Sequence, residues 1–109
     1  MDHRYQDAVS LTLGRRIAAE LPNRPEWMTL ARENLQRWSV QNASAPGLVR
    51  CYTEWLALLD RGVIEVCRIL TEESDEGQRL RQSSPFAGAL SPQEVWDIKR
   101  RVREELTAA

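Results

Sequence analysis

Glu72, Glu73, Asp75 and Glu76 fall within five residues of one another. Carboxylates this close are the material of a general acid–base pair or of a divalent-cation site, so this run is the first place to look for chemistry. A structural account competes with it. The acids precede and enter a helix start with Ser74 as its cap, where negative charge is favoured. A metal-dependent enzyme using the Glu72–Glu76 run therefore stands as an alternative reading. The other chemistry-bearing residues are sparse. His3 is the one histidine and lies at the chain start, and there is neither a Cys-x-x-Cys nor a His–His pair. No metal, cofactor or catalytic residue is expected on these grounds. The five glycines, Gly14, Gly47, Gly62, Gly77 and Gly88, do not cluster as a phosphate cradle requires. Cys51 and Cys67 read as small core residues of a reducing compartment rather than as a disulfide.

The second stretch of interest, RQSSPFAGALSPQE, runs from Arg81 to Glu94. Helical spacing puts Arg79, Gln82 and Ser83 on one side of a short helix, with Arg81 pointing elsewhere. Phe86 is the only phenylalanine and is flanked by Ala87, Gly88 and Ala89. Small neighbours let one ring seat deeply or let another chain approach. Two readings follow. Phe86 plugs the core while an arginine ties helix ends together, or Arg79, Arg81, Gln82 and Phe86 form a partner-binding surface. Arginine and aromatic side chains are the usual anchors of protein interfaces.

These residues must be positioned by helices, because every periodic segment has the helical period. Tyr5, Val9, Leu13 and Ile17 form one stripe, capped by Asp2 and ended at Leu21-Pro22. Pro25 and Glu26 open a second helix carrying Trp27, Leu30, Ala31, Leu35 and Trp38. The segment SVQNASAPG reads as a loop. A third helix runs from about Leu48 to Leu59, Asp60–Gly62 breaks or bends the pattern, and Val63, Ile64, Val66, Cys67 and Leu70 continue it. Ser74 caps a short helix bearing Leu80. Ser91, Pro92 and Glu94 have capping-box spacing, and Leu90 and Val95 sit at staple positions. They predict a last helix from Pro92 to about Leu106, with Val95, Ile98, Val102 and Leu106 on its apolar side and Trp96 adjoining. The expected fold class is all-α, a compact bundle of five to six short helices forming a single domain over residues 1–109.

Charge removes several functions. Lys and Arg number 15 against 16 Asp and Glu, without the basic excess of a dedicated nucleic-acid module. A small DNA-binding regulator remains the first alternative, using the last helix or the Trp27–Leu59 unit. The helix LVRCYTEWLALL is mostly apolar, however, and suits base edges poorly. Asp97, Glu104 and Glu105 interleave with the basic run of KRRVREE on the last helix, and Asp97–Arg101 has i, i+4 spacing. No apolar run approaches the about 20 residues of a membrane span, and the start lacks the apolar stretch of a secretion signal. A cytoplasmic location without membrane contact is the expectation.

RLRQSSPFAGALSPQEVW, with EWLALLDRG upstream, resembles a group of short all-helical bacterial proteins, largely without assigned activity. They share an Arg-Gln-Ser-Ser-Pro-Phe-Ala-Gly segment before a proline-capped last helix. The resemblance covers Trp55 to Trp96. It implies an antitoxin-like or regulatory role beside a toxin, although this chain has no disordered toxin-wrapping tail. The expected function is a non-enzymatic helical interaction module. Its partner would be another protein, either a cognate toxin or a second copy in a homodimer.

Overall fold

A computed structural model describes residues 3–108. The expected all-α bundle is what forms: α1 spans Arg4–Glu20, α2 Pro25–Gln41, α3 Pro46–Arg61, α4 Val63–Thr71, α5 Asp75–Arg81 and α6 Pro92–Ala108. A single 3-10 turn, Leu21–Asn23, joins α1 to α2. The expected Asp2 cap lies outside the described residues.

Local chemistry sets most of these boundaries. Pro25, Pro46 and Pro92 each occupy a first helical turn, where the missing N–H removes no hydrogen bond. Gly62 separates α3 from α4 at φ 104°, a backbone state that a side chain disfavours. The β-branched residues that follow it, from Val63, are helical. Ser74 Oγ accepts from the Gly77 N–H at 3.0 Å and starts α5. Ser91 Oγ accepts from the Glu94 N–H at 3.1 Å, half of the expected capping box. The other half is absent because the Glu94 carboxylate accepts from Arg16 of α1 instead.

Three local expectations shift. α2 extends through Ser39–Gln41, leaving only Asn42–Ala45 as the connection, and Ser39 Oγ bonds back to the Leu35 carbonyl. α3 begins at Pro46 rather than Leu48. Asp97 pairs with Arg100 at 3.5 Å rather than with Arg101, because the Arg100 guanidinium lies 5.2 Å from the Trp96 ring centre and is held on that side.

The core is continuous. α1 packs on α4 and α6, α2 on α3, and α3 on α4. Leu21, Leu35, Trp55, Val66, Leu70 and Ile98 fill the centre. The radius of gyration, 14.0 Å, is close to the about 13 Å of a well-packed chain of this length. Gly14 permits the α1–α4 contact: a Cβ there would stand 2.1 Å from the Leu70 carbonyl oxygen. Cys51 and Cys67 are both free and half-buried, on α3 and α4. The Cys67 thiol faces the Ala18 carbonyl at 3.7 Å, and burial pushes its pKa up. Among the described residues, no helix is long and apolar enough to cross a membrane.

Candidate docking cleft

The segment from Gln82 to Ser91 leaves α5, crosses the molecule and delivers the chain to α6. Two interactions fix it. Phe86 turns inward and meets Trp55 edge-on, with ring centres 6.3 Å apart and its own surface only 3% exposed. Asn34 of α2, also buried, donates through Nδ2 to the carbonyls of Pro85 at 2.9 Å and Ala87 at 3.0 Å. Its Oδ1 accepts from Arg37 at 2.6 Å. The segment is thereby held as a wall rather than left as a free loop.

Between this wall, α1 and α6 lies a cleft of about 1080 Å³. α1 contributes the stripe Tyr5, Val9, Leu13 and Ile17, the wall contributes Phe86 and Leu90, and α6 contributes Val95, Trp96 and Lys99. Trp96 stands on α6 at 58% exposure, whereas Trp55 is fully buried and Trp27 nearly so. A large aromatic left in water beside an apolar cleft is an unusual placement. Among the described residues no Asp or Glu lines the cleft, while Arg81 and Lys99 do. The α1 and α6 helices are tied at both ends. Arg16 binds Glu94 at one, and the Arg103 guanidinium sits 5.4 Å from the Tyr5 ring centre at the other.

The four residues expected to bind a partner do not form one exposed surface. Arg81, Gln82 and Phe86 come together at the cleft, and Arg79 does not. Arg79 lies on the other side of α5, paired with Glu54 at 2.9 Å and Glu76 at 2.6 Å. Those two carboxylates raise its pKa above the ordinary arginine value. Gln82 is exposed. Arg81 is only 3% exposed. Its Nη1 donates to the Ile69 carbonyl at 2.9 Å and to that of Glu72, and its Nη2 donates to Gln78 Oε1 at 2.7 Å. It therefore closes the C-terminal end of α4, satisfying carbonyls that have no partner within the helix. Burial, followed by the charge of Arg15, lowers its pKa below the ordinary arginine value. Phe86 takes the core-plug role and Arg81 the tying role.

The acidic run is dispersed among separate duties. Glu72 accepts from Arg68 and Ser74, Glu73 pairs with Arg15 at 3.6 Å, and Glu76 pairs with Arg79. No three His, Cys, Asp or Glu residues among those described gather as metal ligands.

Sequence reasoning passed over Asn34 and set Trp96 only beside the apolar side of the last helix, yet each carried a signal. Asn34 is a polar residue one step from the apolar Leu35 on a buried helix face. Trp96 is a large apolar residue one step off the Ile98–Val102 stripe of α6. Asn34→Ala is expected to leave the Pro85 and Ala87 carbonyls unpaired, costing about 2–3 kcal/mol. Urea unfolding should register that loss, and the Ala89 amide, which donates to the Phe86 carbonyl at 3.0 Å, should exchange hydrogen faster.

No protein-family model, curated protein or solved structure matches the chain.

Proposed function

We propose that this chain is a non-enzymatic helical interaction module that receives part of a partner protein in the cleft between α1, α6 and residues 82–91. We take its setting to be a bacterial cytoplasm. Its partner would be another protein, with a cognate toxin as the antitoxin-like case and a second copy as the self-associating case.

The observation that carries the proposal is the placement of Trp96, 58% exposed at the edge of an apolar cleft whose walls are fixed in place. Aromatic side chains beside pre-formed apolar pockets dominate interface energetics, since little ordering entropy is lost when they are covered. Among the described residues the cleft lining holds no Asp, Glu, His or Cys.

Site-specific photo-crosslinking tests this in the native host. A benzophenone amino acid at position 96 should give one discrete adduct. The same group at position 40, where Val40 is 79% exposed outside the cleft, should not. The adduct's mass distinguishes a second copy from a different protein. Equal adducts at both positions, or none at 96, would overturn the proposal.

A further inference from the structure

The cleft has a polarity of charge as well as an apolar lining. Lys99 lines it and takes part in no ion pair among the described residues. Arg103 stands against Tyr5 at the end of α6 remote from Glu94, whereas Arg100 stands against Trp96, two residues from Glu94. Arg100 has only the 3.5 Å contact with Asp97, and Arg103 has no carboxylate partner among the described residues. At the opposite end, Arg16 and Glu94 neutralise each other. A chain with a net charge of −1 thus has no Asp or Glu among the described lining residues and sets Lys99 and Arg103 on the stretch of α6 that leads away from the neutralised Arg16–Glu94 pair.

Backbone chemistry narrows the occupant further. The described residues contain no strand, so there is no sheet edge for an extended peptide to join. An extended segment buried on apolar walls would leave its own N–H and C=O groups unpaired, whereas a helix satisfies them internally. The α1 wall also repeats every fourth residue, from Tyr5 to Ile17. That ridge spans about 18 Å, the length of about three helical turns.

We propose, building on the docking reading above, that the occupant is an amphipathic partner helix: its apolar stripe covers Tyr5, Leu13, Val95 and Trp96, lining residues that are not already buried, and Asp or Glu residues at one end meet Lys99 and Arg103. Apolar contact supplies the affinity, and the charges set the orientation and exclude basic helices.

Two synthetic peptides of about 14 residues test it. They share one Leu/Ala apolar stripe and carry either Glu or Lys at the flanking positions, with both termini blocked. By fluorescence anisotropy on the whole chain, the Glu peptide should bind about tenfold tighter at low salt, and the gap should narrow as salt rises. Lys99→Glu, a change at an exposed helix position, should shrink or reverse that preference with the helix content unchanged by circular dichroism. Equal affinity of the two peptides, or a preference indifferent to Lys99→Glu, would overturn the acidic-helix inference while leaving the docking reading intact. Failure of both peptides to bind would overturn the helical occupant. The docking reading itself falls only with the crosslinking result at position 96.

Discussion

Trp55→Ala is expected to destabilise the fold by about 4–5 kcal/mol, the largest effect of any single substitution considered. Trp55 is fully buried at the centre of the bundle, on α3. Truncating a buried tryptophan costs about 3–5 kcal/mol in lost transfer energy and residual cavity. The indole also donates to the Leu80 carbonyl at 2.8 Å, and that bond is lost, although the carbonyl keeps the Ser83 N–H as a donor at 3.1 Å. Phe86 would lose its edge-on partner as well, so the wall of the cleft would loosen. A domain of this size has about 5–15 kcal/mol in total, so the variant should be marginal at 25 °C. Urea titration followed by circular dichroism measures this directly. Trp55→Phe keeps an aromatic ring in the site but loses the N–H and the rest of the indole bicycle, and should cost about 1–3 kcal/mol, less than the alanine variant. A loss below about 2 kcal/mol for the alanine variant would mean that the site collapses around the cavity and that Trp55 does not organise the core.

The second large effect concerns two arginines two residues apart. Arg81→Met keeps the aliphatic stem against α1 but strips the Ile69 and Glu72 carbonyls of their donor. Each buried acceptor left unpaired costs about 1–3 kcal/mol. Part of this is offset because a guanidinium no longer has to be buried, and Arg81 Nε already lacks a hydrogen-bond partner. The expected net loss is about 2–4 kcal/mol, or about 8–20 °C in Tm for a chain of this length. Arg79→Met removes two ion pairs, to Glu54 and Glu76, from side chains that are more than a third exposed, although the Glu54 Oε2 atom it faces is itself shielded from water. It should lower the unfolding midpoint less than Arg81→Met does, because both carboxylates remain largely within reach of water. Thermal melts of the two variants side by side decide the matter, and an equal effect of both would contradict the assignment of Arg81 to the end of α4.

The contrast between these arginines shows where reading along the chain stops. Both lie on α5, which spans only Asp75–Arg81. Its one buried apolar side chain is Leu80, too little to define an inward face. Nothing local distinguishes the arginine that faces solvent from the one that closes α4. The same holds for Phe86, whose small neighbours suit a plug and an exposed anchor equally. Burial was settled by Trp55, a residue 31 positions earlier in the chain.

By itself, the sequence determined the helices. Pro25, Ser74, Ser91 with Pro92, and Gly62 act on backbone groups within four residues, so their effects can be read locally. The spacing of Val9, Leu13 and Ile17, and of Ile98 and Val102, likewise fixed which faces turn inward. Tertiary structure alone decided the cleft. Its walls come from α1, from residues 82–91 and from α6, brought together by the Gly14–Leu70 approach, the Asn34 bonds to Pro85 and Ala87, and the Arg16–Glu94 pair. Each of those contacts joins residues more than 50 positions apart, and no periodicity or capping rule reaches that far. Whether Trp96 would be covered or left in water was therefore a property of the packed molecule rather than of the helix that carries it.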